Sequence, residues 1–183
     1  MGKNRLEMFS DGVIAIIITI MVLELRGPHE FSFEALQPLG PKLLSYVLSF
    51  VTIGIFWSHH HHLLHAVHHV NRAVLWANLH FLFWLSLIPS VTAWMGEHQF
   101  HRVPVAVYGA VVLMVGVSYR LLEQVLVKFH DKESMLARSV GQNLKAWFSF
   151  AAYAAAIPLA FVAEWFTMVI YFGVAALWLL PDK

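Results

Sequence analysis

The side chains that could bind an ion or carry a proton are concentrated in two short segments of the chain. One is N-terminal, where Ser10 and Asp11 open an apolar run that continues to Leu25. The other is a histidine run between positions 59 and 69. An aspartate at the end of a membrane helix is costly unless it has a partner or a function. The first segment therefore requires polar partners from elsewhere in the chain.

The histidine run holds seven of the chain's twelve histidines, namely His59, His60, His61, His62, His65, His68 and His69. If the run is helical, His61, His65 and His68 share one face. Imidazole groups at this spacing suit zinc, copper or nickel. The surrounding sequence offers no cysteine and no nearby acid. We therefore favour solvated histidines at a membrane interface, rank pH-dependent charge second and a metal site on these three residues third, and expect no cofactor.

The composition is that of an integral membrane protein. Of 183 residues, 59% are apolar and 13% are charged, and the mean hydropathy is +0.66. Soluble domains average about 45–50% apolar and about 25% charged residues. The absence of cysteine excludes disulfides and thiolate chemistry. No catalytic triad, phosphate-binding loop or acid-containing metal motif is found, so we expect neither an enzyme nor a nucleic-acid-binding protein.

Six segments are apolar and long enough to cross a bilayer, which takes about 20 residues in a helix. They predict an all-α polytopic membrane fold, and a single domain over 1–183, with spans at 7–25, 43–64, 73–94, 103–127, 144–163 and 165–180. The break at Glu164 is so short that helices five and six should form a hairpin.

Loop charges predict the orientation, because cytoplasmic loops are enriched in Lys and Arg. If the N-terminus is cytoplasmic, that side holds Lys3, Arg5, Arg72, Lys128, Lys132, Arg138 and Lys183. The opposite side then holds only Arg26, Lys42 and Arg102. We therefore expect both termini to be cytoplasmic.

The first predicted helix has an apolar stripe and a polar side. Ile16, Ile20 and Leu23 fall at spacings i, i+4 and i+7, within a stripe about 60° wide, and Thr19 flanks it. Ser10 and Asp11 are rotated about 120–140° away from Ile16 and point toward neighbouring helices. The stripe can be packed core or lipid-facing surface. Alternatively, symmetry copies of it form stacked apolar collars around a pore, which gate by dewetting.

The motif in this helix is similar to that of a known family. Its residues resemble the signature of the bacterial branch of the transmembrane protein 175 family of potassium channels, reading Arg5-x-x-x-Phe9-Ser10-Asp11-Gly12-Val13-x-Ala15-Ile16-x-x-Thr19. The next two helices also resemble the family, in Trp57-x-x-His60-His61-x-Leu63 and Leu75-Trp76-x-Asn78-Leu79-x-Phe81-Leu82.

The resemblance implies a homotetramer of six-helix subunits in which helix one lines a central pore without a carbonyl selectivity filter. It implies that Ile16 forms the narrowest collar, that Ile20 and Leu23 form the next two toward the outside, and that Thr19 offers hydroxyls beside them. The expected partners are potassium and other monovalent cations, the lipid bilayer and further copies of the chain. The expected location is the bacterial plasma membrane.

Polar groups of helix one need partners in a low dielectric, and polar side chains of helices two and three are the candidates. The resemblance implies the same polar network, which fixes the rotation of helix one. Its expected members are Arg5, Phe9, Ser10, Asp11, Trp57, His60, His61 and Asn78. The alternative is a set of separately satisfied polar groups at a membrane interface. For the function, a proton-conducting channel of the same fold and a small metal or proton transporter remain as alternatives.

Overall fold

The computed structural model describes residues 2–27, 32, 34–67, 69–129 and 144–180. Within these residues all regular secondary structure is helical, which confirms the predicted all-α class. The α-helices are α1 (Lys3–Met21), α2 (Leu39–His65), α3 (Arg72–Ser86), α4 (Ile88–Glu97), α5 (Arg102–Phe129), α6 (Leu144–Leu159) and α7 (Glu164–Leu179). Two 3-10 turns, Val22–Glu24 and Glu34–Leu36, lie between α1 and α2.

Four helical segments are long and apolar enough to cross a membrane: Lys3–Glu24, Leu39–His65, Arg72–Glu97 and Arg102–Lys128. They correspond to the first four predicted spans, and the first helix begins four residues before the predicted start at position 7. Helix α1 is rich in isoleucine, which favours strands in water. It is helical because a membrane segment must satisfy its backbone hydrogen bonds internally.

The third span is interrupted at Leu87, between α3 and α4. Pro89 has no N–H with which to continue the backbone ladder. The chain resumes at once, because the N–H of Val91 donates to the carbonyl of Leu87 at 3.3 Å. Helix α4 then continues to Glu97, three residues beyond the predicted end of the span at 94.

Helices α6 and α7 form the predicted hairpin, and each has 16 residues within the described part of the chain. Helix α6 ends at Leu159, four residues before the predicted end of its span. The turn at 160–163 is itself apolar, and the side chains of Phe161 and Val162 are exposed. The N–H groups of all four turn residues donate to α6 carbonyls at distances of 2.8–3.2 Å. Hydropathy therefore continues through this turn although the helix does not.

Helix α5 holds the subunit together, because its buried residues belong to all three apolar clusters. Val112 packs in the cluster shared with α6 and α7, and Val115 in the cluster shared with α1 and α3. Leu122 packs beside the N-terminal end of α1. Gly109 allows α7 to approach closely, since an added Cβ would overlap the ring of Tyr171.

Candidate pore helix and its polar anchor

Helix α1 buries one face and exposes another. The buried face comprises Leu6, Ser10, Ile14, Ile17 and Met21. It packs against α2, α3 and α4. The stripe identified in the sequence lies about a third of a turn away, and its side chains are exposed: Ile16 by 60%, Ile20 by 41% and Leu23 by 69%. In the described part of this subunit, nothing covers the stripe.

Thr19 lies beside the stripe on the exposed side of α1. Its hydroxyl donates to the carbonyl of Ile16 at 3.0 Å. The hydroxyl proton is thereby used within the helix, while the oxygen keeps acceptor capacity. Thr19 can therefore offer an oxygen to a cation or a water molecule that passes this face.

On the buried face of α1, a hydrogen-bond chain joins three helices. Nε2 of His60 on α2 donates to Oδ1 of Asn78 on α3 at 2.7 Å. Nδ2 of Asn78 donates to Oγ of Ser10 on α1 at 2.9 Å, and Ser10 donates to the carbonyl of Leu6 at 2.9 Å. The direction of both hydrogen bonds is fixed, because the amide oxygen of Asn78 can only accept and its nitrogen can only donate. His60, Asn78 and Ser10 are fully buried, so the chain fixes how α1 is rotated against α2 and α3.

A second contact reaches α1 through its aspartate. The indole Nε1 of Trp57 donates to Oδ1 of Asp11 at 3.0 Å. The Trp57 ring stacks on His61, with ring centroids 5.9 Å apart. His61 itself does not hydrogen-bond to Asp11 in the described residues; it faces a different carboxylate.

That carboxylate belongs to Glu7, which the sequence analysis did not single out. Oε1 of Glu7 lies 3.6 Å from Nδ1 of His61 and 3.3 Å from Nε2 of His65. This corrects the expectation that no acid lies near the histidines, which considered only neighbours along the chain. The spacing held a usable signal: α1 and α2 run antiparallel, so a contact between Asp11 and Trp57 brings positions one turn away, 7 and 61, together.

Two predicted members of the network are not brought into it within this subunit. Arg5 is exposed, and among the described residues its side chain makes no hydrogen bond or ion pair. Phe9 is also exposed.

Two other members of the histidine run form hydrogen bonds within α2. His59 and His62 bond to carbonyls of their own helix, and His68, part of the candidate metal set, lies outside the described residues.

Comparison with known proteins shows which family the chain resembles. Residues 5–89 match the family model described as the endosomal/lysosomal potassium channel TMEM175. A potassium channel of Chryseobacterium sp. (strain P1-3) is 45% identical over 183 residues, covering 100% of this chain and 95% of the relative. The endosomal/lysosomal proton channel TMEM175 of Gallus gallus is 29% identical over 150 residues, 74% of this chain and 30% of that protein.

A solved structure has the same architecture. The crystal structure of a lysosomal potassium-selective channel TMEM175 homolog from Chamaesiphon minutus superposes with a TM-score of 0.79 at 25% identity, covering 97% of this chain and 96% of that one. The fold, the helix-one motif and the relative that matches the full length of the chain all indicate the same family. The chain is an integral membrane protein that belongs to the TMEM175 family of ion channels, which are not enzymes.

Proposed function

We propose that this protein is a potassium-permeable cation channel in which four copies of α1 surround a central pore. The observation that carries the proposal is the division of α1 into two faces. One face is anchored inside the subunit by Ser10 and its partners, and the other exposes the stripe of Ile16, Ile20 and Leu23. A helix held at a fixed rotation with an uncovered apolar stripe suits the lining of a symmetric pore.

The proposed gate consists of apolar collars, with Ile16 forming the narrowest and Ile20 and Leu23 the next two. Such a collar offers no ligands to replace the ion's hydration shell, so the ion passes at least partly hydrated. Narrow apolar rings of this kind gate by dewetting. Potassium, which holds its water less tightly than sodium, is favoured modestly. The hydroxyl oxygen of Thr19 supplies a polar acceptor beside the collars.

The proposed orientation has both termini in the bacterial cytoplasm, as the loop charges predict. The hydrogen-bonded side chains that hold α1, here called the polar anchor, are Ser10, Asp11, Trp57, His60 and Asn78. The polar anchor then lies near the cytoplasmic end of α1, and the proposed collars follow toward the outside. The names of the relatives support potassium as the permeating ion, since bacterial homologues are called potassium channels.

Proton conduction is the second candidate, because a vertebrate relative is named a proton channel. The titratable residues that would favour it here are Glu7, His61 and His65, which meet at one end of α1 and α2. Glu7 lies about 180° around α1 from Ile16, and the two histidines of α2 contact it there. This placement favours a structural or regulatory use of the histidines over a proton path through the collars.

Flux from liposomes tests the proposal. The purified chain is reconstituted with potassium, sodium or protons as the only permeant cation. We expect potassium flux to exceed sodium flux and the current to be ohmic in planar bilayers. Saturating, carrier-like flux would contradict a pore, and proton flux without potassium flux would favour the second candidate.

A further inference from the structure

We propose that Glu7, His61 and His65 form a binding site for a divalent transition-metal cation of the Zn²⁺ class. The site joins the N-terminal end of α1 to the C-terminal end of α2. It does not rest on the proposed transport function, because metal binding is measured on the purified protein without any flux.

The separations of the ligand atoms match a tetrahedral metal site. Zn–N and Zn–O distances are about 2.0–2.2 Å, so neighbouring ligand atoms of a tetrahedron lie about 3.3 Å apart. Oε1 of Glu7 is 3.3 Å from Nε2 of His65 and 3.6 Å from Nδ1 of His61. All three ligand atoms lie within 4.8 Å of one another. Small side-chain movements therefore suffice to close the site around an ion.

The ligand types and their spacing fit the same chemistry. Two imidazoles with one carboxylate suit zinc, cobalt, nickel or copper. His61 and His65 are one helical turn apart on α2, so their rings share a face, with centroids 4.5 Å apart. Nδ1 of His61 is buried and makes no hydrogen bond in the described residues. A metal ion would satisfy this nitrogen.

The site can be loaded from water. The side-chain exposures are 18% for Glu7, 37% for His61 and 61% for His65. A cation can enter past His65, and water can fill the fourth position. One positive charge lies nearby, since Nζ of Lys3 donates to the carbonyl of His65 at 2.9 Å. This ammonium weakens the attraction for a cation but occupies none of the three ligand atoms.

Bound metal would act on the position of α1. His61 stacks on Trp57, which holds Asp11 of the helix-one motif. The metal site and this contact together tie two successive turns of α1 to α2. Because Glu7 lies about 180° around α1 from Ile16, the ion would not obstruct the stripe. It would reduce the freedom of α1 to rotate or slide against α2.

Cobalt absorption and thermal unfolding of the full-length, untagged protein in detergent test the site. We expect Co²⁺ to give a saturable visible absorption band that Zn²⁺ abolishes, and Zn²⁺ to raise the unfolding temperature. His65→Ala and Glu7→Gln should weaken Co²⁺ affinity at least about tenfold, as the loss of one ligand among few requires. The control is His62→Ala, because His62 is exposed on the same helix and bonds to the carbonyl of Ser58.

His65 is exposed, so its alanine variant should fold even if Glu7→Gln does not. A Co²⁺ band of unchanged affinity in His65→Ala would overturn the proposal. Equal losses in His65→Ala and His62→Ala would also overturn it, because binding would then be adventitious and spread over the histidine run.

Discussion

At the residue scale, the contact between Asp11 and Trp57 shows how an acid is accommodated in the first membrane helix. The carboxylate accepts one indole N–H at 3.0 Å and stays partly exposed. The fully buried side chains of the same region, Ser10, His60 and Asn78, form one hydrogen-bond chain, in which Nδ1 of His60 has no partner among the described residues. The polar anchor therefore combines a buried hydrogen-bond chain with a partly exposed carboxylate contact at its edge.

Removing either partner of this contact should destabilise the protein. Asp11→Ala and Trp57→Phe should each lower the free energy of unfolding by about 1 kcal/mol, because polar contacts between membrane helices are typically of this size. The double variant should cost less than the sum of the two, with a coupling energy of similar size. Denaturant titration in detergent micelles measures all three values.

Asp11→Asn is the matched control, since its amide oxygen can still accept from the indole. It should lose less stability than Asp11→Ala. Additive losses in the double variant would show that the two side chains do not interact and would argue against the anchor.

Most members of the anchor could be predicted from the sequence, and the reason is chemical. Asp11, Trp57, His60 and Asn78 are polar groups in apolar segments, so each required a partner. Glu7 was missed because partners for the histidines were sought only among neighbours along the chain, although the expected pairing of Asp11 with Trp57 already indicated a contact one turn away, between positions 7 and 61. The exposure of Arg5 was not predictable, because it depends on the crossing of α1 with its neighbours.

At the element scale, the two faces of α1 differ in burial. Ser10, Ile14 and Ile17 are fully buried against neighbouring helices, whereas Ile16 and Leu23 are exposed among the residues that the structure describes. The periodicity of the sequence separates the same two faces of α1. It does not show whether protein, lipid or water occupies the space beside the stripe. Helix ends were predicted to within four residues, and the error at the end of α6 arises because an apolar turn at 160–163 extends the hydropathy beyond the helix.

Polarity introduced on the stripe should open the proposed gate. Ile16→Asn places an amide where an apolar collar would exclude water, so wetting becomes easier. We expect single-channel conductance to rise about twofold or more and closed periods to shorten. Planar-bilayer recordings of potassium current measure both quantities.

Val22→Asn serves as the control for this variant. Val22 is also exposed, but it lies about 120° around from Ile16. Its current should match that of the unmodified protein. An unchanged current in Ile16→Asn, or an equal rise in both variants, would exclude Ile16 as the gate.

At the scale of the whole molecule, one subunit is an incomplete channel. It has a single copy of the helix-one motif, and its stripe requires an axis to become a pore. The family and the fold were predictable because the motif residues are of rare types at fixed spacing. The assembly was not derivable from one chain, because an exposed apolar stripe is equally compatible with lipid.

The lack of native cysteines makes the assembly accessible to cross-linking. If α1 surrounds an axis, Leu23→Cys brings identical thiols close, and a disulfide needs Cβ atoms about 3.5–4.5 Å apart. We expect oxidation to give covalent dimers of the 20.8 kDa chain on a denaturing gel. Native mass spectrometry of the unmodified protein should give a tetramer.

Leu121→Cys on α5 is the control, because Leu121 is also an exposed leucine but belongs to a helix that the proposal does not place at the pore axis. It should stay monomeric on the gel after oxidation. Cross-linking of Leu121→Cys without that of Leu23→Cys would place α1 outside the axis and refute the proposed pore.

The hairpin of α6 and α7 is short compared with the thickness of a typical bilayer. Helix α7 has 16 residues, as does the described part of α6, and 16 residues rise about 24 Å, which is less than the roughly 30 Å of hydrocarbon in a typical bilayer. The turn is apolar and its amides need no water, so it can sink below the headgroups. Lipids at this edge must then shorten or tilt their acyl chains, and the elastic cost depends on their length. Helices α5 and α2 contact the hairpin. A change in acyl-chain length that displaces the hairpin would therefore also displace the helices that support α1.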